Sequence, residues 1–260
     1  MTVHVAIDGP VTIVTIDRPE VANAIDRPTA QALTDAFRAF DANASQAVAV
    51  LTGAGGTFCA GADLKAMSEP GLARVSRVEP DGDGPVGPTR MLLGKPVIAA
   101  VEGHAVAGGL ELAAWCDLRV AADDAVFGVY CRRWGIPLMD GGTFRLTRLL
   151  GHSHALDLIM TGRGVSGDEA LRMGLVNRIV DKGRALEHAT TLAHEIAGRP
   201  QAALRSDRLA SYEQWSMTVS DALSIESRHG MEPLGTGQID EGLHRYQSGA
   251  WRDAATPPPS

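Results

Sequence analysis

Residues 101–111 read Val101-Glu102-Gly103-His104-Ala105-Val106-Ala107-Gly108-Gly109-Leu110-Glu111. A short apolar strand, Val97 to Val101, leads into them, and a helical stretch, Leu110 to Trp115, leads out. The start of a helix carries unpaired N–H groups and the positive end of the helix dipole, which together attract developing negative charge. Glycines at 108 and 109 let a ligand carbonyl approach that backbone without a Cβ in the way. Glu111 falls in the first turn of the same helix, so its carboxylate is held near whatever binds there. A second glycine-rich element, Thr57-Phe58-Cys59-Ala60-Gly61-Ala62-Asp63-Leu64, follows another strand and a glycine-rich turn. Taken singly, each element reads better as a turn that merely packs a strand against a helix.

Outward from these two elements the chain alternates strands and helices. Val3 to Ile7 and Val11 to Ile16 form β-branched runs around the turn Asp8-Gly9-Pro10, which predicts a hairpin. Asp26, Pro28 and Thr29 offer a helix start, with Leu33, Phe37 and Phe40 at helical spacing behind it. Ala47 to Leu51 and Leu118 to Ala122 are further short strands, and Gly142 to Leu150 is helical. Glu69 to Pro88 is rich in glycine and proline and lacks apolar periodicity, which predicts a long mobile loop. Beyond residue 150 the pattern turns helical. Ser166-Gly167-Asp168-Glu169 fits a capping box, Gly174 a helix stop and Val176 to Val180 a short strand. Helical segments follow up to Gly198 and over Leu204 to Trp215, Val219 to Arg228 and Ile239 to Gln247. The tail Pro257-Pro258-Pro259 reads as frayed. The fold class is therefore α/β, with a core over 1–195 and a helical C-terminal region over 196–260.

Composition narrows the function. The 260 residues include 24 Lys+Arg against 31 Asp+Glu, a net charge of -7, which argues against nucleic acid or an anionic membrane as partner. No apolar run is long enough to span a bilayer, and no secretory leader is visible. Cys59, Cys116 and Cys131 have no zinc-ligand spacing, and read as reduced thiols of a cytoplasmic protein. Gly82-Asp83-Gly84-Pro85-Val86-Gly87 formally matches a dinucleotide glycine motif, but no strand precedes it and prolines interrupt it. His152 and His154 lack a third ligand at useful spacing, so no metal site is expected.

The order of the motifs is specific. FCAGADL, the strand Lys95-Pro96-Val97-Ile98-Ala99-Ala100-Val101, and then EGHAVAGGLELAAWCDLRVA together resemble the crotonase (enoyl-CoA hydratase/isomerase) superfamily. Arg18-Pro19 with Asn23-Ala24, the run Gly141-Gly142-Thr143-Phe144-Arg145-Leu146, and the segment from Gly162 to Val180 are similar to the same family. The resemblance runs from about residue 5 to about residue 250. It implies a crotonase-like spiral of ββα units with a helical C-terminal region for oligomerisation and pocket closure, assembled as a homotrimer or dimer of trimers. It also implies an acyl-CoA substrate with no separate cofactor. Ala62 and Gly108 would supply the two oxyanion-hole N–H groups. The coenzyme A arm would lie along Val21, Ala22, Ala60, Asp63 and Leu64, mostly through backbone contacts.

The catalytic pair is where this sequence departs from the family. Hydratases of the family use two glutamates, of which Glu111 matches the first. The second position, four residues after Phe127, holds Cys131, followed by Arg132 and Arg133. Asp140, just before Gly141-Gly142-Thr143, matches a position where dienoyl-CoA isomerases of the superfamily carry an aspartate. Asp140 reads either as the acid/base partner of Glu111, with Arg132 or Arg133 balancing the charge, or as a cap of the helix starting near Gly142. His104, Tyr130, Cys131, Arg132 and Trp134 are candidates to line the acyl pocket. Hydration of a 2-enoyl-CoA is the default reaction. Double-bond isomerisation of an enoyl- or dienoyl-CoA is the runner-up, and acyl-CoA binding with weak or no catalysis is a third reading.

Overall fold

The computed structural model describes residues 2–68 and 78–249. The expected loop from Glu69 to Pro88 lies outside the described residues over 69–77, as does the proline tail. The described residues divide at Ala197–Gly198 into two compact units.

The first unit opens with β1 (Val3–Asp8) and β2 (Val11–Ile16), the expected hairpin, paired antiparallel with Asp8 opposite Val11. Helix α1 (Arg27–Ala42) starts where Asp26 accepts a hydrogen bond from the Thr29 N–H at 3.1 Å, and buries Leu33, Phe37 and Phe40. Strand β3 (Val48–Gly53), the short helix α2 (Leu64–Ser68) and strand β4 (Val97–Val101) follow. Next come β5 (His104–Val106), α3 (Gly108–Trp115), β6 (Leu118–Ala122) and β7 (Val126–Gly128). The unit ends with α4 (Gly142–Leu150), α5 (His152–Thr161), β8 (Gly164–Ser166), α6 (Gly167–Arg172), β9 (Arg178–Val180) and α7 (Ala185–Ala197). Ser166 caps α6 by accepting from the Glu169 N–H, as its capping-box sequence predicts.

A six-stranded sheet runs in the order β1-β2-β3-β4-β6-β9, parallel except at the β1–β2 hairpin. Parallel strands covered on both faces read as continuous apolar runs, which explains Ala47 to Leu51 and Val97 to Val101. Their side chains alternate between two cores. Ala49, Leu51, Val97, Ala99 and Val101 face a large core with α1 and α3, whereas Val48, Val50, Ile98 and Ala100 face a smaller one with α7. A second, three-stranded sheet, β5-β7-β8, stands apart. Its strands have three residues each, too short to show a period in sequence.

The second unit holds α8 (Gln201–Glu213), α9 (Val219–Leu234) and α10 (Gln238–Gln247), close to the three predicted helices. The Ser206 hydroxyl donates to the His229 carbonyl, tying α8 to α9. No helix among the described residues is long and apolar enough to cross a membrane.

Candidate active site

Two hydrogen-bonded chains bring the glycine-rich elements side by side. The Cys59 N–H donates to the His104 carbonyl at 2.9 Å, and the Val106 N–H donates to the Cys59 carbonyl at 3.1 Å. Residues 57–60 thus run along β5 and deliver Ala62 beside the start of α3. The fit requires glycine: a Cβ on Gly109 would lie 2.1 Å from the Cys59 carbonyl oxygen. Between β5 and α3 sits Ala107, with φ +52° and ψ −126°, a conformation that L residues rarely adopt. Its N–H is held by the Gly128 carbonyl at 2.8 Å. Such strain persists only where the surroundings impose it, and it concentrates at functional sites.

The strain aims the backbone. Neither the Ala62 N–H nor the Gly108 N–H has an acceptor among the described residues. Both residues line a cavity of about 280 Å³, and a Cβ on Gly61 would lie 2.7 Å from the Gly108 nitrogen. The same cavity is lined by Glu111 and Asp140. The rest of its wall is mainly apolar, including Met67, Val86, Val106, Trp134, Ile136 and Met139.

Glu111 projects from the first turn of α3 toward the start of α4. Its Oε1 accepts from the Asp140 N–H at 2.9 Å and from the Gly142 N–H at 2.8 Å. Burial pushes its carboxyl up to about 7, and the Asp140 charge adds to that, against the lowering effect of those N–H donors. Asp140 does not cap α4, whose N-cap is Gly141 with no side-chain bond. Its Oδ1 instead accepts from the Val86 N–H at 3.1 Å and from the Thr89 hydroxyl. Burial raises the Asp140 carboxyl as well, opposed by Thr89, Val86, Arg90 and Arg145.

The expected charge partners of Asp140 need correction. Arg132 is exposed and donates to the Ile159 carbonyl, and Arg133 donates to the Gly162 carbonyl and lies over the Tyr130 ring. The cations that oppose the rise of the Asp140 carboxyl are Arg90 and Arg145, and Arg145 also donates to the main-chain carbonyls of Asp140 at 2.7 Å and Thr89 at 2.6 Å. It lies one turn into α4, where an alternating helix face hides which way its side chain reaches.

Of the acyl-pocket candidates, Tyr130, Cys131 and Trp134 line the cavity. Trp134 is 69% exposed, so it forms rim rather than core. His104 and Arg132 do not line it. The His104 side chain is exposed, and only its backbone serves the site, through Cys59. Ala60 and Leu64 line the cavity, whereas Val21, Ala22 and Asp63 do not. Ala22 is tied to Ala60 by a backbone bond of 3.0 Å. The Asp63 side chain is used internally. Burial works to raise its carboxyl, but the Ala66 N–H and Arg18, 2.9 Å away, outweigh that and hold it below the usual range. Sequence reasoning missed Val86 and Thr89 altogether, because they sit in a segment without periodicity.

Two unpaired N–H groups and two buried carboxylates in one apolar cavity form an arrangement chemically able to hold a carbonyl oxygen and to exchange protons beside it. The chain belongs to the enoyl-CoA hydratase/isomerase family, whose family model matches residues 6–250. An enoyl-CoA hydratase of Mycobacterium tuberculosis is 35% identical over 249 residues, covering 92% of this chain and 90% of that protein. A carnitinyl-CoA dehydratase of Salmonella typhi is 42% identical over 201 residues, covering 75% of this chain and 74% of that protein. The crystal structure of an enoyl-CoA hydratase from Mycobacterium marinum superimposes with a TM-score of 0.89 at 34% identity, covering 95% of this chain and 96% of that one. The expected crotonase-like α/β fold with C-terminal helices is thereby confirmed.

Proposed function

We propose that this protein is an enoyl-CoA hydratase, adding water to a 2-enoyl-CoA to give the 3-hydroxyacyl-CoA. The observation that carries this reading is the convergence of Glu111, Asp140 and the Ala62 and Gly108 N–H groups on one cavity. The thioester oxygen accepts from the two N–H groups, which form the oxyanion hole. A water oxygen bonds to C3 as one carboxylate takes its proton. The C2–C3 π pair moves toward the thioester, so negative charge collects on the held oxygen. The other carboxyl then gives its proton to C2, and the carbonyl re-forms. One such N–H donor is worth ~2.7–4 kcal/mol in the transition state. Glu111 and Asp140 divide the acid and base work, since both line the cavity and burial raises both carboxyls above their ordinary values, that of Glu111 to about 7. The chemistry calls for no metal or redox cofactor, since every step is a proton transfer or the holding of an oxyanion.

A second reading, double-bond isomerisation, is favoured by Cys131, which lines the cavity where the family's hydratases carry their second glutamate. Isomerisation needs a proton taken from C4 and returned to C2, with no water added. Turnover of crotonyl-CoA against 3-enoyl- and dienoyl-CoA thioesters, with products identified by mass spectrometry, separates the two. Unchanged crotonyl-CoA turnover in Asp140→Asn removes Asp140 from catalysis. Tight binding of every thioester without turnover leaves only an acyl-CoA-binding role.

The coenzyme A arm runs past Ala60 and Leu64 toward Val21 and Ala22, with Asp63 acting through its backbone. The second unit carries the oligomer contact. Exposed Val219, Leu223, Met231 and Leu234 on α9 support a homotrimer or dimer of trimers. Light scattering of the intact chain tests that assembly. The reduced, buried thiols of Cys59, Cys116 and Cys131 fit a cytoplasmic protein.

A further inference from the structure

We propose that Thr89 is a positioning residue for Asp140, and that the glycine-rich strap from Gly84 to Arg90 exists to hold that one carboxylate. The inference rests on the reading of Asp140 as one of the two proton-transfer groups, and extends it to a residue outside the catalytic pair.

Three observations support it independently. First, Oδ1 of Asp140 receives two donors from the strap, the Val86 N–H and the Thr89 hydroxyl. A hydroxyl has one proton to give, and Thr89, buried to 1% exposure, gives it there. Oδ2 makes no hydrogen bond among the described residues. An oxygen already receiving two donors is a poor place for a proton, so the mobile proton resides on Oδ2.

Second, Gly84 of the strap is fixed by this contact. A Cβ on Gly84 would fall 2.0 Å from the Thr89 Oγ1 and 2.6 Å from the Asp140 Oδ1. Gly84 and Gly87 exchange backbone hydrogen bonds of 2.9 Å, closing the strap on itself. Gly87 adopts φ +102°, and a Cβ there would lie 2.7 Å from the Ala30 carbonyl oxygen on α1. The segment that formally resembles a dinucleotide motif is thus a carboxylate clamp.

Third, the strap is locked to the opposite wall. Arg145 donates to the Thr89 carbonyl and to the Asp140 carbonyl, so hydroxyl donor and carboxylate acceptor hang from one guanidinium. The Val86 side chain packs toward Gly108, where an added Cβ would meet its Cγ1 at 2.9 Å. The residue whose N–H holds Asp140 therefore also bounds the oxyanion turn.

Asp140 is faced by Glu111 from α3, by Arg145 from α4, by Arg90 from the strap and by Cys59 from the neighbouring loop. Of these groups and the strap's own donors, the Thr89 hydroxyl can be deleted with least change of shape.

The experiment is the pH profile of kcat and kcat/KM for intact wild-type, Thr89→Val, Thr89→Ser and Asp140→Asn proteins with crotonyl-CoA, alongside thermal melts. Losing a donor to the carboxylate raises its pKa, so in Thr89→Val one limb of the profile moves to higher pH by roughly 0.5–1 unit. The kcat at neutral pH falls by about tenfold, and Thr89→Ser restores both. Unshifted limbs in a folded Thr89→Val, with only KM or the melting temperature altered, overturn the proposal. If Thr89→Val does not fold, Thr89→Ala is read in the same way. Failure of both to fold while Thr89→Ser folds makes the hydroxyl structural, and the proposal falls. Wild-type turnover in Asp140→Asn would instead defeat the catalytic reading of Asp140 itself, whatever Thr89 does.

Discussion

The main-chain N–H of Asp140 donates to Oε1 of Glu111 at 2.9 Å, while the side chain of Asp140 is held elsewhere. On the proposed function, one residue supports its catalytic neighbour through the backbone and acts through the carboxylate, so the two roles can be separated by substitution. Asp140→Asn keeps the N–H and removes the charge. The kcat is expected to fall by roughly 10²–10⁴. The limb set by Glu111 should also move below the wild-type position, because the neighbouring charge that raises that carboxyl is gone. A limb that stays put in a pH–kcat/KM profile counts against the electrostatic coupling of the pair.

Glu111 also carries a stability signature. Its carboxyl rises on folding from an ordinary value of 4.5 to about 7. The folded state then binds more protons than the unfolded state across that window. Its contribution is fully present below about pH 4.5 and is lost as pH rises through about 7, by on the order of 3 kcal/mol. Glu111→Gln removes that loss. Melting curves at pH 5 and pH 8 should show the variant gaining stability relative to wild type only at the higher pH, with activity gone at both.

Gly61→Ala tests the paired N–H groups. The new Cβ would sit 2.7 Å from the Gly108 nitrogen, at a φ of +93°. The kcat is expected to fall at least 10²-fold, since the path of the thioester oxygen to that donor is obstructed. Gly56→Ala is the control, because Gly56 has a similar φ of +76° with open space around its Cβ position. Equal kinetic losses in the two variants would mean that backbone strain alone is at work.

Asn23→Ala probes the loop beneath the site. The Asn23 side chain accepts from the Arg18 N–H at 2.8 Å and donates to the Ala54 and Thr57 carbonyls at 2.8 and 2.6 Å. It is fully buried at φ +56°. Removing it strands several polar groups, so urea denaturation should show a loss of about 2–4 kcal/mol. A loss below about 1 kcal/mol would show that water satisfies those groups instead.

The legible part of the molecule is the part with a local rule. The β1–β2 hairpin, the Asp26 cap of α1 and the Ser166 box of α6 each announce themselves in a few residues. So does the Gly108-Gly109-Leu110-Glu111 helix start that places one carboxylate and one donor. What sequence could not show depends on distant chain segments meeting. Thr89 lies 51 residues from Asp140, and the bond between them has no periodicity or spacing to betray it. Arg132 and Arg133 are the cations near Asp140 in the motif, whereas the ones that act on its carboxyl are Arg90 and Arg145, from the strap and from α4.

Glu111 rests on the first N–H of α4, so its charge state is also the strength of that helix's N-terminal cap. When the carboxylate is ionised the helix end is held firmly, and when it takes a proton the hold weakens. Protonation and deprotonation of Glu111 are thus each accompanied by a change in how readily α4 frays. Amide hydrogen exchange at Gly142, corrected for its intrinsic pH dependence, would report it as a local opening equilibrium that grows as pH falls through about 7.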